Sequence, residues 1–264
     1  MTRWFITGIS SGIGEALARV ALDRGDTVIG IARDAAALDA FEALSGQAIP
    51  VALDIARHED VPAAVEAAFA HGPVDVVVNN AGRSVFGAFE ETSVAEAKAL
   101  FDVNVFGTWA VTQAALPRLR AQGHGTIVNL SSGCGINGMA GLSAYCASKF
   151  AIEGFTEALA QEVAAFGLKV MLVEPGAIAT RFISHGTQDA GTRLPEYAFL
   201  SASGKTVLDA YYESAASPPE SVADAILAAI DSGAPPLRLV VGADMKAGVT
   251  AKAEQLAALA ATIS

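Results

Sequence analysis

Short, continuously apolar runs recur along the chain: Trp4-Phe5-Ile6, Thr27-Val28-Ile29-Gly30-Ile31, Ile49-Pro50-Val51-Ala52-Leu53, Val74-Asp75-Val76-Val77-Val78, Thr126-Ile127-Val128-Asn129-Leu130, Val170-Met171-Leu172-Val173 and Leu237-Arg238-Leu239-Val240-Val241. Runs of this length, apolar on both alternating faces, suit strands covered on both sides, as in a parallel sheet. Between them lie Ala/Leu/Glu-rich stretches of helical character at about 12–24, 34–44, 58–71, 93–120, 143–166 and 219–232. Strands and helices that alternate in this way predict an α/β protein with a doubly wound parallel sheet joined by right-handed crossovers. Nothing in the chain reads as a linker, so one domain is expected over residues 1–264.

Two segments break the alternation. Residues 176 to about 218 carry Gly186, Gly191, Gly204 and the aromatics Phe182, Tyr197, Phe199, Tyr211 and Tyr212, and no strand is expected among them. An interruption of that length reads as a substrate lid, about 181–217. The tail, about 242–264, reads as an Ala/Leu helix docked on the surface or on a second subunit.

Composition narrows the function. The 264 residues are 52% apolar, enough for a sizeable core, and only 17% are charged. The net charge of −11, with Lys and Arg scattered singly, argues against nucleic acid and anionic membranes as partners. No run of about 20 uncharged apolar residues occurs, and the first residues lead into a strand, not a signal peptide, so a soluble cytoplasmic protein is expected. Cys134 and Cys146 have no metal-ligand spacing and read as reduced thiols with no catalytic role; no metal is expected. An anion bound by this acidic chain must be held by local geometry.

Such a geometry stands near the start. "TGISSGIG", Thr7 to Gly14, joins the first strand to the first helix, where a doubly wound sheet binds the pyrophosphate of a dinucleotide. Gly8 permits the tight turn, Gly12 lets the backbone approach the phosphates, and Gly14 lets the helix pack close to the sheet. Farther on, Tyr145 and Lys149 lie four apart in a helical stretch and so project from one face. A phenol titrates near pH 10, too high for neutral acid–base work, but a neighbouring ammonium favours its phenolate.

Thr7-Gly8-x-x-x-Gly12-x-Gly14, Asn79-Asn80-Ala81-Gly82, Asn104, Ser132 with Tyr145-x-x-x-Lys149, and Pro175-Gly176 occur in the order and spacing of the short-chain dehydrogenase/reductase family, which the chain resembles from about residue 3 to 180. The resemblance implies a Rossmann fold with a seven-stranded parallel sheet of order 3-2-1-4-5-6-7 and helices on both faces. It implies that Tyr145 is the general acid/base and that Lys149 also bonds the nicotinamide ribose. Ser132 would hold the substrate oxygen, and Asn104 a water connecting Lys149 to solvent. Around the cofactor it implies the glycine loop with Ser10, Ser11 and Ile13; Asp54 on the adenine amino group; Asn80, Ala81 and Gly82 beside the adenine ribose; and Pro175, Gly176, Ile178 and Thr180 at the nicotinamide. A homodimer or homotetramer is expected.

The second strand ends Gly30-Ile31-Ala32-Arg33, with no acid to accept from a ribose 2′-OH; Arg33, helped by Ser10 or Ser11, suits a 2′-phosphate instead. NADP is therefore expected over NAD. The aromatic lid and Val85-Phe86-Gly87-Ala88-Phe89 point to a small apolar ketone, aldehyde or secondary alcohol, with His185 a surface residue of the lid. Lid length, "YCASK" and the tail resemble the hydroxysteroid/retinol-type reductases. The alternatives weighed are a ketoacyl-thioester reductase and a non-catalytic NADP-sensing protein.

Overall fold

A computed structural model describes residues 1–180, 182, 186–200 and 216–262. The strands are β1 (Arg3–Thr7), β2 (Thr27–Ala32), β3 (Ala48–Ala52), β4 (Val76–Asn79), β5 (Ser84–Phe86), β6 (Gly125–Leu130), β7 (Leu168–Pro175), β8 (Thr187–Asp189) and β9 (Arg238–Val241). The helices are α1 (Gly12–Asp23), α2 (Ala35–Glu42), α3 (Val61–Ala70), α4 (Val94–Phe101), α5 (Thr108–Gln122), α6 (Ser143–Val163), α7 (Pro219–Asp231) and α8 (Ala243–Ala260). Seven strands form one parallel sheet in the order β3-β2-β1-β4-β6-β7-β9. Numbered within the sheet alone, this is the expected 3-2-1-4-5-6-7.

The continuous apolar runs are explained by two cores. Successive side chains of a strand point to opposite faces, so Trp4 and Ile6 of β1 join Leu17, Phe41, Val222 and Ile226 of α1, α2 and α7 on one face. Phe5 between them joins Val65, Val111, Leu119 and Leu159 of α3, α5 and α6 on the other. Ile127 against Val128, and Val170 against Met171, divide in the same way. Burial of each such side chain contributes about 1.5–3 kcal/mol, so both faces must be covered for the sheet to persist.

Three local features depart from the sequence reading. The helix expected at 93–120 is interrupted: α4 and α5 are separated by a π-helical stretch, Asp102–Gly107, that contains Asn104. The lid holds a strand after all: β8 pairs in parallel with β5, Ser84 opposite Thr187 and Phe86 opposite Asp189. A strand so short gives no periodic signal, and its partner lies about a hundred residues away. Third, α8 docks only by its first turns, with Met245 buried, while Leu256 and Leu259 are exposed. His185, Gly204, Tyr211 and Tyr212 lie outside the described residues. Among the described residues no helix is long and apolar enough to cross a membrane. The parallel strands end together at one edge of the sheet, and the loops that leave this edge build the site.

Candidate active site

Those loops enclose a cleft of about 380 Å³. One wall is the loop between β1 and α1. Gly8 and Gly12 hold φ of 76° and 63°, the left-handed region that glycine enters without strain. The amides of Gly8 and Ile9 donate to Ile31 O at 2.8 and 3.2 Å and tie the loop to β2. Ser10, Ser11 and Ile13 line the cleft beside them. Ser11 stands at the N-cap of α1 but makes no side-chain cap bond, so the first-turn N–H groups and the positive end of the helix dipole are left for an anion. Gly14 does not line the cleft; a Cβ there would overlap the Asn80 amide and the Gly8 carbonyl, so its part is the close packing of helix on sheet.

Asn80, Ala81 and Gly82 follow β4 and line the next wall. The Asn80 side chain is turned inward: Nδ2 donates to Thr7 O and Gly8 O at 2.9 and 3.1 Å, and the Asn80 and Ala81 amides donate to Thr7 Oγ1 at 3.0 and 3.1 Å. Asn80 thus locks β4 to the glycine loop, and its neighbours' backbone forms the surface. Behind it Asn79 donates to Asn129 Oδ1 at 2.8 Å and Asn129 to Thr156 Oγ1 at 2.8 Å, an amide chain across β4, β6 and α6.

At the outer end Arg33 and Asp54 face each other across the cleft, Arg33 Nη1 and Asp54 Oδ2 3.9 Å apart, with the arginine side chain 72% exposed. Pro175, Gly176, Ile178 and Thr180, after β7, form the opposite wall. Thr180 stands over the glycine loop, its side chain 3.2 Å from where a Cβ on Gly12 would be.

Tyr145 and Lys149, one turn apart on α6, are both buried at the inner end. The Lys149 ammonium donates to Leu130 O at 2.7 Å and lies 5.6 Å from the centre of the Tyr145 ring. Burial pushes Lys149 down to about 8, opposed by the neighbouring Cys134 and Glu153. Ser132 follows β6; its Oγ accepts from the Cys134 amide at 3.2 Å. A hydroxyl that accepts there keeps its own hydrogen for a group in the cleft. Ser131, its neighbour, also lines the cleft.

Asn104 lies behind the cleft wall, buried in the π-helical stretch. Its Oδ1 accepts from Arg83 N at 2.9 Å and its Nδ2 donates to Arg83 O at 2.9 Å and Ser148 Oγ at 3.1 Å. Its own carbonyl accepts from Thr108 Oγ1 at 2.8 Å. The side chain therefore clamps both backbone groups of Arg83, and through Ser148 it reaches the residue before Lys149.

Over Tyr145 lies Phe182, ring centres 5.7 Å apart, within an apolar cluster of Val85, Phe86, Leu100, Leu142 and Ala190. Cys134 and Cys146 belong to this cluster, and each thiol acts on the other, which lowers that of Cys146 and raises that of Cys134. Within the expected lid, Gly191 and Leu194 are held by acids that sequence reasoning missed. Buried Glu91 accepts from Leu194 N and Ala88 N at 2.9 and 2.8 Å, and Glu96 accepts from Gly191 N at 2.7 Å. The Ser93-x-x-Glu96 capping box was readable as a helix start; its second use, on a loop far along the chain, had no local signal. Arg83, beside the cleft and donating to Gln188 Oε1 at 3.1 Å, was also missed. Its position directly after Asn79-Asn80-Ala81-Gly82 was the available clue.

The family model described as short chain dehydrogenase matches residues 3–190. The chain is 39% identical over 244 residues to the oxidoreductase BOA17 of Botryotinia fuckeliana, covering 91% of this chain and 89% of that one. It is 35% identical over 252 residues to human retinol dehydrogenase 8, covering 88% and 79%. A solved short-chain dehydrogenase from Streptomyces avermitilis superposes with a TM-score of 0.89 at 40% identity, over 97% of this chain and 93% of that one.

Proposed function

From the premise that this chain belongs to the short chain dehydrogenase family and is a nicotinamide-dependent oxidoreductase, we propose that it transfers a hydride between NADP(H) and an apolar ketone, aldehyde or secondary alcohol, with Tyr145 as the acid/base. The observation that carries the reading is the inner end of the cleft, where a buried phenol and a buried ammonium share one face of α6 beneath an aromatic ring.

The cleft fits a dinucleotide: positive-φ glycines, an uncapped helix N-terminus and a backbone-lined wall lead from Arg33 to Tyr145. When bound, the nicotinamide supplies or accepts the hydride. The chain does the rest. Tyr145 gives its proton to the carbonyl oxygen in reduction and takes it back in oxidation. Lys149, as an ammonium, favours the phenolate that remains. Ser132 donates to the same substrate oxygen and holds it in place. Asn104 fixes Arg83 at the wall. Arg33 turns from Asp54 to a 2′-phosphate: an exposed ion pair at 3.9 Å is worth about 0–1 kcal/mol, less than a charge-assisted bond to phosphate.

An apolar substrate is supported by Phe182 and the cluster around Tyr145, and by the likeness to a protein named for retinol. Exposed Phe106, Trp109 and Phe150, on the π-helical stretch, α5 and α6, support a homo-oligomer joined through these helices. The test is NADPH oxidation over a panel of aromatic ketones, steroids and quinones, repeated with Tyr145→Phe. That variant keeps the ring and loses the proton, so turnover of the best substrate should fall at least about a hundredfold with cofactor affinity retained. Turnover near that of the unaltered enzyme would refute the acid/base assignment.

A further inference from the structure

The loop Pro175–Thr180 forms one wall of the cleft, yet much of what holds it comes from the C-terminal helix. Gly176 N donates to Val241 O at 2.9 Å, where β9 ends beside β7. The chain then turns through Gly242, φ 113°, into the first turn of α8. There Asp244 Oδ2 accepts from Ala177 N at 2.9 Å. The carboxylate lies so close over Gly176 that any side chain at 176 would overlap it. Met245, the next residue, is buried, its sulfur against Gly133, directly after Ser132. Two consecutive residues of one helical turn thus back the loop after β7 and the loop after β6. On its other side the Ala177 carbonyl accepts from Ser217 N at 2.9 Å.

We propose that Asp244 is a positioning residue for the nicotinamide end of the cofactor: by bonding Ala177 N–H it fixes the backbone that carries Ile178 and Thr180, and so makes the grip on that end depend on docking of the C-terminal helix. The proposal rests on the cofactor reading above. Asp244 does not line the cleft, whose outer end is formed by Arg33 and Asp54. Its loss therefore acts on one half of the dinucleotide. A residue needed only for folding would affect both halves alike.

The experiment compares affinities of the intact dinucleotides, NADP+ and NAD+, with those of the nicotinamide-free fragments 2′-phospho-ADP-ribose and ADP-ribose, by calorimetric titration of the full-length protein. For Asp244→Ala the preferred dinucleotide should bind roughly tenfold more weakly, the worth of one hydrogen bond to a charged group, while its fragment stays within about twofold. Asp244→Asn retains a carbonyl oxygen for Ala177 N–H and should recover most of the loss. If Asp244→Ala does not fold, Asp244→Ser, polar but too short to reach Ala177, replaces it with the same expectation. Equal weakening of dinucleotide and fragment, no weakening of either, or no recovery in Asp244→Asn overturns the proposal. An unaltered protein that binds neither dinucleotide overturns the cofactor reading and this one with it.

Discussion

Lys149 is a charge held where charge is costly. Burial pushes it down to about 8, and its proposed work needs the ammonium form, which dominates below that value and is lost as pH rises through it. The efficiency of carbonyl reduction, kcat/KM, should therefore decline above about pH 8, the limb reporting the free enzyme; a profile flat to pH 10 would assign the limb to another group. Arg33 offers a second test at this scale. Arg33→Asp removes a cation from the 2′-phosphate and puts a like charge beside it, so the ratio of efficiencies with NADPH and NADH should shift toward NADH by tens to hundreds, at about 1.4 kcal/mol per factor of ten. An unmoved ratio would mean that Arg33 serves only Asp54. The place of Ser132 in the cleft followed from the family resemblance, and that Tyr145 and Lys149 share one face of a helix was legible from their spacing of four. The side-chain bonds of Asn80 and Asn104 were not. They depend on which backbone groups other loops bring near, Thr7 and Gly8 for one and Arg83 for the other.

Among the elements, the alternation of apolar runs was enough to predict the sheet, because each strand must feed both cores. The π-helical stretch around Asn104 was not readable: one widened turn between two helices leaves no signal of its own in the spacing of apolar residues. The lid departs furthest from its sequence reading. No strand was expected there, but residues 187–194 are bound by β5, Glu91 and Glu96. Bonds from Leu194 N and Ala88 N hold the Glu91 carboxyl below the ordinary range, and bonds from Ser93 and Gly191 N do so for Glu96. A carboxyl lowered by folding stabilises the fold above its unfolded value of about 4.3 and ceases to do so as pH falls through its folded value. The lid anchors should accordingly hold at neutral pH and fail in acid. In a series of descending pH below about 4.3, hydrogen exchange at Gly191 and Leu194 should accelerate before exchange in β1 or β4. Simultaneous release would mean that the anchors add nothing beyond the global fold.

For the whole molecule, two cores on opposite faces of one sheet leave exposed apolar side chains along the π-helical stretch, α5 and α6, and others elsewhere, Phe89, Phe199 and the α8 leucines among them. Trp109 of α5 meets Phe155 of α6 edge-on, ring centres 5.5 Å apart, and Phe106 and Phe150 are exposed on the π-helical stretch and on α6. Trp109→Glu should reduce the mass measured by light scattering to that of a single chain while leaving the circular dichroism of the sheet and helices in place. An unchanged mass would move the contact elsewhere. The proposed association through helices is consistent with how the sheet margins are made. In β3, Gln47 O accepts from Val28 N and Leu53 N donates to Ala32 O, both at 3.0 Å. Odd-numbered residues therefore turn their peptide groups toward β2, and even-numbered ones turn them away. Pro50 is even-numbered. The outward position at the middle of this margin thus has no N–H, and the opposite margin, β9, is four residues long, follows Pro235-Pro236 and begins with the charged Arg238. A stray extended chain finds an interrupted ladder at one margin and a short, charged one at the other. Pro50→Val would restore the missing donor on a β-branched residue and turn a guarded rim into a template on which an extended chain could pair and fibrils could grow.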